Sequence, residues 1–238
     1  MKILGLESSA KAASAALTED GKLLARSYQN TGLTHSRTLL PMVEAMLRNC
    51  DLSMDDIGAV AVAAGPGSFT GLRIGVSAAK GLAWARQLPC AAVSTLEAMA
   101  QNLAHLEGSV IVCAMDARRS QVYNALFLAE GGTLQRLCPD RAVALSRVCE
   151  DLQNEICPKI VVGDGALLCY NALIDAGIAC RLAPEALRMQ DAVGVCMCAE
   201  RAAKADKLIS AEALQPVYLR LSQAERERLQ KQKQSNAE

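Results

Sequence analysis

Aromatic residues are scarce in this 238-residue chain: one Trp, two Phe and four Tyr make up 3% of it. So few flat rings leave little for stacking bases, and 25 Lys plus Arg are matched by 25 Asp plus Glu, so no overall basic character compensates. Composition therefore argues against independent tight RNA binding. Histidine is rarer still: there are only two, His35 and His105, and Leu39 stands four residues after His35, so no H-x-x-x-H pair lies on one helical face. There is no H-E-x-x-H and no nucleophile obviously paired with an imidazole, which leaves a peptidase reading almost nothing to stand on. No apolar run approaches the roughly 20 residues that span a bilayer. The opening MKILGLESSAKAAS turns polar too early for an export signal. The expected place is the cytoplasm.

Cysteine is the residue in surplus. All ten fall between Cys50 and Cys198, mostly within apolar stretches such as VIVCAMD, where in a reducing compartment thiols behave as small buried hydrophobes and no disulfide is required. Cys196 and Cys198 are close in sequence, but two residues apart on a helix point about 200° from each other, a poor start for a metal site.

Periodicity divides the chain into two similar halves. Residues 2–7 read as a buried strand and 12–18 with 22–29 as a hairpin; Leu39, Leu40, Val43, Met46 and Leu47 then recur at helical spacing to about Cys50. A strand at 57–64, a glycine-rich turn at 65–71, a helix to about Arg86, a strand near 91–93 and a helix from Ser94 complete the unit. The order returns as a strand at 110–116, a hairpin at 120–128 and 133–137, a helix near 145–155, a strand at 159–163 and a helix from Ala166, with a last helix at 190–204. Two β-β-β-α-β-α units, each opening with a strand that ends in a carboxylate (Glu7, Asp116), predict a duplicated α/β architecture with a cleft between halves. The division expected is 1–107, a smaller 108–220, and a charged tail at 221–238 read as a frayed or flexible end. A single doubly wound sheet is the alternative.

The stretch most suggestive of chemistry is AGPGSFTGLR, Ala64 to Arg73. Its glycines permit close approach to a phosphate, and Ser68 or Thr70 can cap the helix behind. It is not a Walker A loop, since the nearest downstream lysine is Lys80. Spacing alone weighs a tight turn and a phosphate clamp equally. Likewise Glu7 and Asp116 either hold a Mg²⁺-bound water or satisfy turn amides.

Six blocks together resemble the TsaB (YeaZ) family: ILGLESS at 3–9, HSRTLLPMVEAML at 35–47, AAGPGSFTGLRIGVSAAKGLA at 63–83, MDARRSQVY at 115–123, VGDGA at 162–166 and PVYLR at 216–220. The resemblance implies an actin-like ATPase fold of the sugar kinase and Hsp70 superfamily with a reduced second lobe. It implies a non-catalytic partner subunit in threonylcarbamoyl transfer to adenosine 37 of ANN-decoding tRNAs, paired with the catalytic paralogue TsaD and joined by the ATPase TsaE. ATP or ADP and the metal belong to those partners, tRNA is met only through the complex, and a homodimer forms when the partner is missing. Leu39 stands where the paralogue has its second metal-binding histidine. The pairing surface maps onto Leu39, Leu40, Val43 and Met46 of one helix and Leu72, Gly75, Val76 and Ala79 of the next. Glu7, Ser8, Gly65, Gly67, Ser68 and Asp116 are candidate vestigial nucleotide contacts, although Glu7 departs from the Asp common in the family and would shift a water-mediated Mg²⁺ contact by about one methylene. The alternative from another class is a free-standing ATP-dependent kinase or ATPase using Glu7 and Asp116 around Mg²⁺.

Overall fold

The computed structural model describes residues 1–220, so the expected tail at 221–238 lies outside the described residues. The first sheet holds β1 (Lys2–Glu7), β2 (Ala13–Glu19), β3 (Lys22–Gln29), β4 (Ala59–Gly65) and β5 (Cys90–Ser94), in the order β3-β2-β1-β4-β5. Between β3 and β4 runs α1 (His35–Asn49), followed by a short 3-10 turn at Met54–Asp56; α2 (Phe69–Trp84) and α3 (Thr95–Gln101) follow β4 and β5. The second sheet holds β6 (Val110–Asp116), β7 (Gln121–Glu130), β8 (Thr133–Arg136), β9 (Arg141–Ala144), β10 (Lys159–Val162) and β11 (Arg181–Leu182). Its order, β11-β10-β6-β7-β8 with β9 also on β7, is the first sheet's order over again. The helices α4 (Leu145–Leu152), α5 (Ala166–Asp175), α6 (Glu185–Arg188) and α7 (Ala192–Lys204) complete the chain, whose duplication is the actin-like ATPase fold.

Strand β4, AVAVAAG, shows why the sheet is covered unequally. Val60 and Val62 point with Leu4 and Leu6 into one core beneath α1 and α2, whereas Ala59, Ala61 and Ala63 point with Ile3 the other way, onto α7. Small residues on that second face let α7 come close: a Cβ on Gly5 would fall 2.5 Å from Cys196 Sγ and 2.8 Å from the Ala192 carbonyl oxygen. The Cys196 and Cys198 thiols are buried in this layer, and burial pushes both pKa values up to about 12.

The helices do not follow the two-part division of the sequence. α7, expected with the second half, covers the first sheet. α3, expected with the first, places Leu96 and Met99, with Leu103 from the turn after it, in the second sheet's core beside Ile111, Cys113 and Phe127. They cross each other where Gly194 lies directly against the Ala98 carbonyl. After α7 the chain returns along the first sheet. Ile209 and Cys90 exchange two backbone hydrogen bonds of 2.7 and 2.8 Å, Leu214 is fully buried, and Val217 N donates to Ala64 O at 2.7 Å. Periodicity missed β9, β11, α6 and the 3-10 turn, the longest of which is four residues, below what a repeat can register.

Helix α2 offers an internal control on packing. Gly71 lies so close to the Ser8 carbonyl that a methyl group there would overlap it, while Gly81 on the outer face has nothing within 4 Å. Gly71→Ala is expected to lower stability by about 2 kcal/mol in urea denaturation. Gly81→Ala should raise it by roughly 0.5–1 kcal/mol through backbone entropy and helix propensity. Equal effects at the two positions would contradict the packing described.

Candidate functional site: the cleft between the sheets

The carboxyl ends of β1 and β6 meet at a cleft of about 500 Å³. Ser9 and Lys11 line it from the turn after β1, Gly67 to Thr70 from the start of α2, Asp116 and Arg118 from the β6–β7 turn, Asp164 from the turn after β10, and Val217 to Arg220 from the returning chain.

The two strand-end acids do the same local job. Glu7 accepts from the Ser9 amide at 2.6 Å and Asp116 from the Arg118 amide at 2.7 Å. Each thus satisfies a turn amide two residues on, as the turn reading anticipated. They differ in exposure: Asp116 is exposed, but Glu7 is fully buried and its second oxygen has no hydrogen-bond partner among the described residues. Burial pushes the Glu7 pKa up to about 7, with hydrogen bonding from Ser9 opposing and the nearby Asp191 and Asp164 adding to the rise. Burial also raises Asp164, which accepts from Gln190 Nε2 at 2.8 Å.

The glycine-rich loop is pressed onto the protein itself. Gly65, Gly67 and Gly71 lie against the carbonyls of Val217, Ser9 and Ser8, and Gly75 against the Ser8 hydroxyl, which donates to Gly71 O at 2.9 Å. Ser68 Oγ accepts from the Gly71 amide at 3.3 Å. Of the six candidate nucleotide contacts, Gly67, Ser68 and Asp116 reach the cleft, while Glu7, Ser8 and Gly65 do not line it. The close approach that the glycines allow at 65, 67 and 71 is taken by the protein's own turn after β1 and by the returning chain at Val217, while Gly67 to Thr70 line the cleft. Nor is any group of three or more His, Cys, Asp or Glu placed to hold a metal among the described residues. His35 sits with Nε2 2.7 Å from Ala10 O, and Leu39 is buried.

Seven of the eight residues expected on a pairing surface do not face outward. Leu39, Val43, Met46, Leu72, Gly75, Val76 and Ala79 are buried within the monomer, because they are the rows of α1 and α2 that face the first sheet. Of the eight only Leu40 is exposed, at 47%. The outward surface instead carries Leu40 on α1 with Arg73, Ser77, Gly81 and Trp84 on α2, the tryptophan 64% exposed.

Sequence reasoning also missed the cleft's second wall. Tyr218 stacks on Phe69 with ring centroids 4.4 Å apart and its hydroxyl oxygen accepts from Arg73 Nε at 3.2 Å, while the Arg73 guanidinium lies 4.0 Å over the Phe69 ring. Arg220 Nη1 donates to Ala117 O across the cleft. The one available signal was PVYLR itself, an apolar and aromatic run just ahead of the charged tail.

No helix among the described residues is long and apolar enough to cross a membrane. Residues 29–228 match the family model described as TsaD: tRNA N6-adenosine threonylcarbamoyltransferase. The tRNA threonylcarbamoyladenosine biosynthesis protein TsaB of Escherichia coli is 32% identical over 226 residues, covering 92% of this chain and 95% of that one. YeaZ from Pseudomonas aeruginosa superposes with a TM-score of 0.77 at 27% identity over 92% of this chain and 99% of that one. Component A of (R)-2-hydroxyglutaryl-CoA dehydratase from Acidaminococcus fermentans shares the fold alone, with a TM-score of 0.51 at 13% identity over 86% and 99% of the two chains. Duplicated sheets, an inward-packed glycine loop and a relative matched along nearly its whole length lead to one assignment: the chain belongs to the TsaB (YeaZ) family.

Proposed function

We propose that this chain serves N6-threonylcarbamoyladenosine formation on tRNA as a non-catalytic subunit that dimerises with the catalytic paralogue TsaD and activates it. TsaE joins that assembly, nucleotide and metal are held by the partners, and the free chain pairs with itself through the same surface. The cytoplasm is its place of work. The observation that carries this reading is the outer face of α1 and α2, where exposed Leu40 and Trp84 accompany the small Ser77 and Gly81. A helix pair with large anchors beside small residues is shaped to receive another helix pair. The glycine loop closed on its own chain and Leu39 within the core support the absence of an independent active site.

The test is co-expression with the paralogue followed by size exclusion and a transfer assay on an ANN-decoding tRNA transcript. Wild type should co-elute and support modification of adenosine 37. Leu40→Glu combined with Trp84→Ala should separate the subunits and reduce modification at least tenfold, since anchors at such interfaces are each worth about 2 kcal/mol. Undiminished co-elution and transfer by the folded variant would reject the assigned surface.

A further inference from the structure

The cleft holds cations that no carboxylate among the described residues neutralises, although Arg220 also donates from Nη1 to the Ala117 carbonyl. Among the described residues, Lys11, Arg118, Arg119 and Arg220 take part in no ion pair, although twelve ion pairs engage other charged groups. Three of these cations line the cleft, and they come from three separate segments: the turn after β1, the β6–β7 turn and the returning chain. The β6–β7 turn is unusual, with Arg118, Arg119 and Ser120 all left-handed at φ of 62°, 55° and 55°. Consecutive non-glycine residues in that region are costly, and such turns concentrate at binding sites. At the lip, Arg73, Phe69 and Tyr218 form a continuous stack, and Tyr218 remains 38% exposed. On the floor, Asp116 and Asp164 offer carboxylates, and Ser9 Oγ, buried beside them, has no partner among the described residues.

We propose that this cleft binds one ribonucleotide unit of a single-stranded RNA, with its base stacked on Tyr218 and its flanking phosphates held by Lys11, Arg118 and Arg220. An aromatic platform beside a cationic rim is the usual means of holding an unpaired strand. The carboxylates accept from ribose hydroxyls, and the 2′-hydroxyl is what separates RNA from DNA at such a site. A free nucleotide fits less well. It calls for donors converging on one polyphosphate, whereas here the glycine loop is closed on its own chain and the cations are spread over three segments, as successive phosphates of a strand require. The zero net charge of the whole chain makes this a local contact rather than a basic face. The inference rests on the proposed function only for which RNA is bound.

Fluorescence anisotropy of the full-length chain alone, with a fluorescein-labelled anticodon stem-loop, tests this separately from partner binding. Tyr218→Ala should weaken binding about tenfold and Tyr218→Phe should leave it within twofold. Lys11→Gln with Arg118→Gln, both exposed positions, should reduce the slope of log K against log salt by about 1.4 at unchanged melting temperature. The DNA of the same sequence should bind at least fivefold more weakly, and ADP should not compete at equal concentration. No binding by wild type, unchanged affinity in the variants, equal binding of DNA, or displacement by ADP would each overturn the proposal. Failure of co-elution with the paralogue would instead reject the proposed function and leave this measurement intact.

Discussion

Ala79→Glu is expected to abolish folding, whereas Leu40→Glu leaves the monomer as stable as wild type to within about 0.5 kcal/mol. Both residues lie on the helix pair assigned to partner binding, but on opposite faces of it. Ala79 is completely buried in the core with Leu4, Leu6, Val60 and Val62 on the adjoining strands, and Val43 is 3% exposed in the same cluster. A carboxylate placed there has neither water nor a partner, which costs on the order of 4 kcal/mol, a large share of a domain's whole stability. Val43→Glu should behave likewise. Circular dichroism melts and soluble yield read the effect directly. A cooperatively folded Ala79→Glu monomer would mean that α2 does not pack on this sheet as described. The contrast also decides how partner binding is to be probed: a substitution at 43 or 79 separates subunits by destroying one of them.

Glu7→Gln is expected to stabilise the protein above neutrality and to do nearly nothing in mild acid. The Glu7 carboxyl titrates at an ordinary 4.5 when unfolded and at about 7 in the fold, where burial disfavours its charge. Below pH 4.5 both states hold the proton and the group costs nothing. Between pH 4.5 and 7 the unfolded chain releases its proton while the folded chain keeps it, so stability falls as pH rises. Above 7 the penalty is complete, roughly 3 kcal/mol for a difference of this size. Glutamine keeps the acceptor for the Ser9 amide without the charge. Urea unfolding of wild type and variant from pH 4.5 to 8.5 should therefore show a gap that opens in the variant's favour through this window. A gap of constant size, or one favouring wild type at high pH, would show that Glu7 is ionised at little cost.

The fold was legible wherever a repeat was long enough to declare itself. Strands β1, β4 and β6 are near-continuous apolar runs, and α1 and α2 carry helical spacing, so their existence and order followed from the residues. Which sheet a helix covers is another matter. The pattern AVGVCMCAE gives α7 an apolar face, but nothing local says that Gly194 and Cys196 answer to Ala98 and Gly5, which lie far away in the sequence. The same limit explains the surface assignment. Leu39, Val43 and Met46 form a row with Leu47 and Met42 beside it, and a stripe that wide looks like surplus until two sheet strands are seen to absorb it. In the cleft, spacing could not choose between anchored turn and phosphate clamp at 65–71. The choice depends on Ser8, Ser9 and Val217, distant residues that the folded chain brings onto those glycines.

The exchange of α3 and α7 makes the order of synthesis matter. As the polypeptide leaves the ribosome, the strands of the first sheet emerge early, but the helix that must shield their alanine-lined side arrives about a hundred residues later than β5, and the strap later still. Until α7 has been made, the alanine-lined side of that sheet has no cover, and contacts of such long sequence separation close slowly. A fragment that ends before α7 is therefore expected to aggregate when expressed alone, and a soluble, cooperatively folded fragment 1–107 would contradict the exchange.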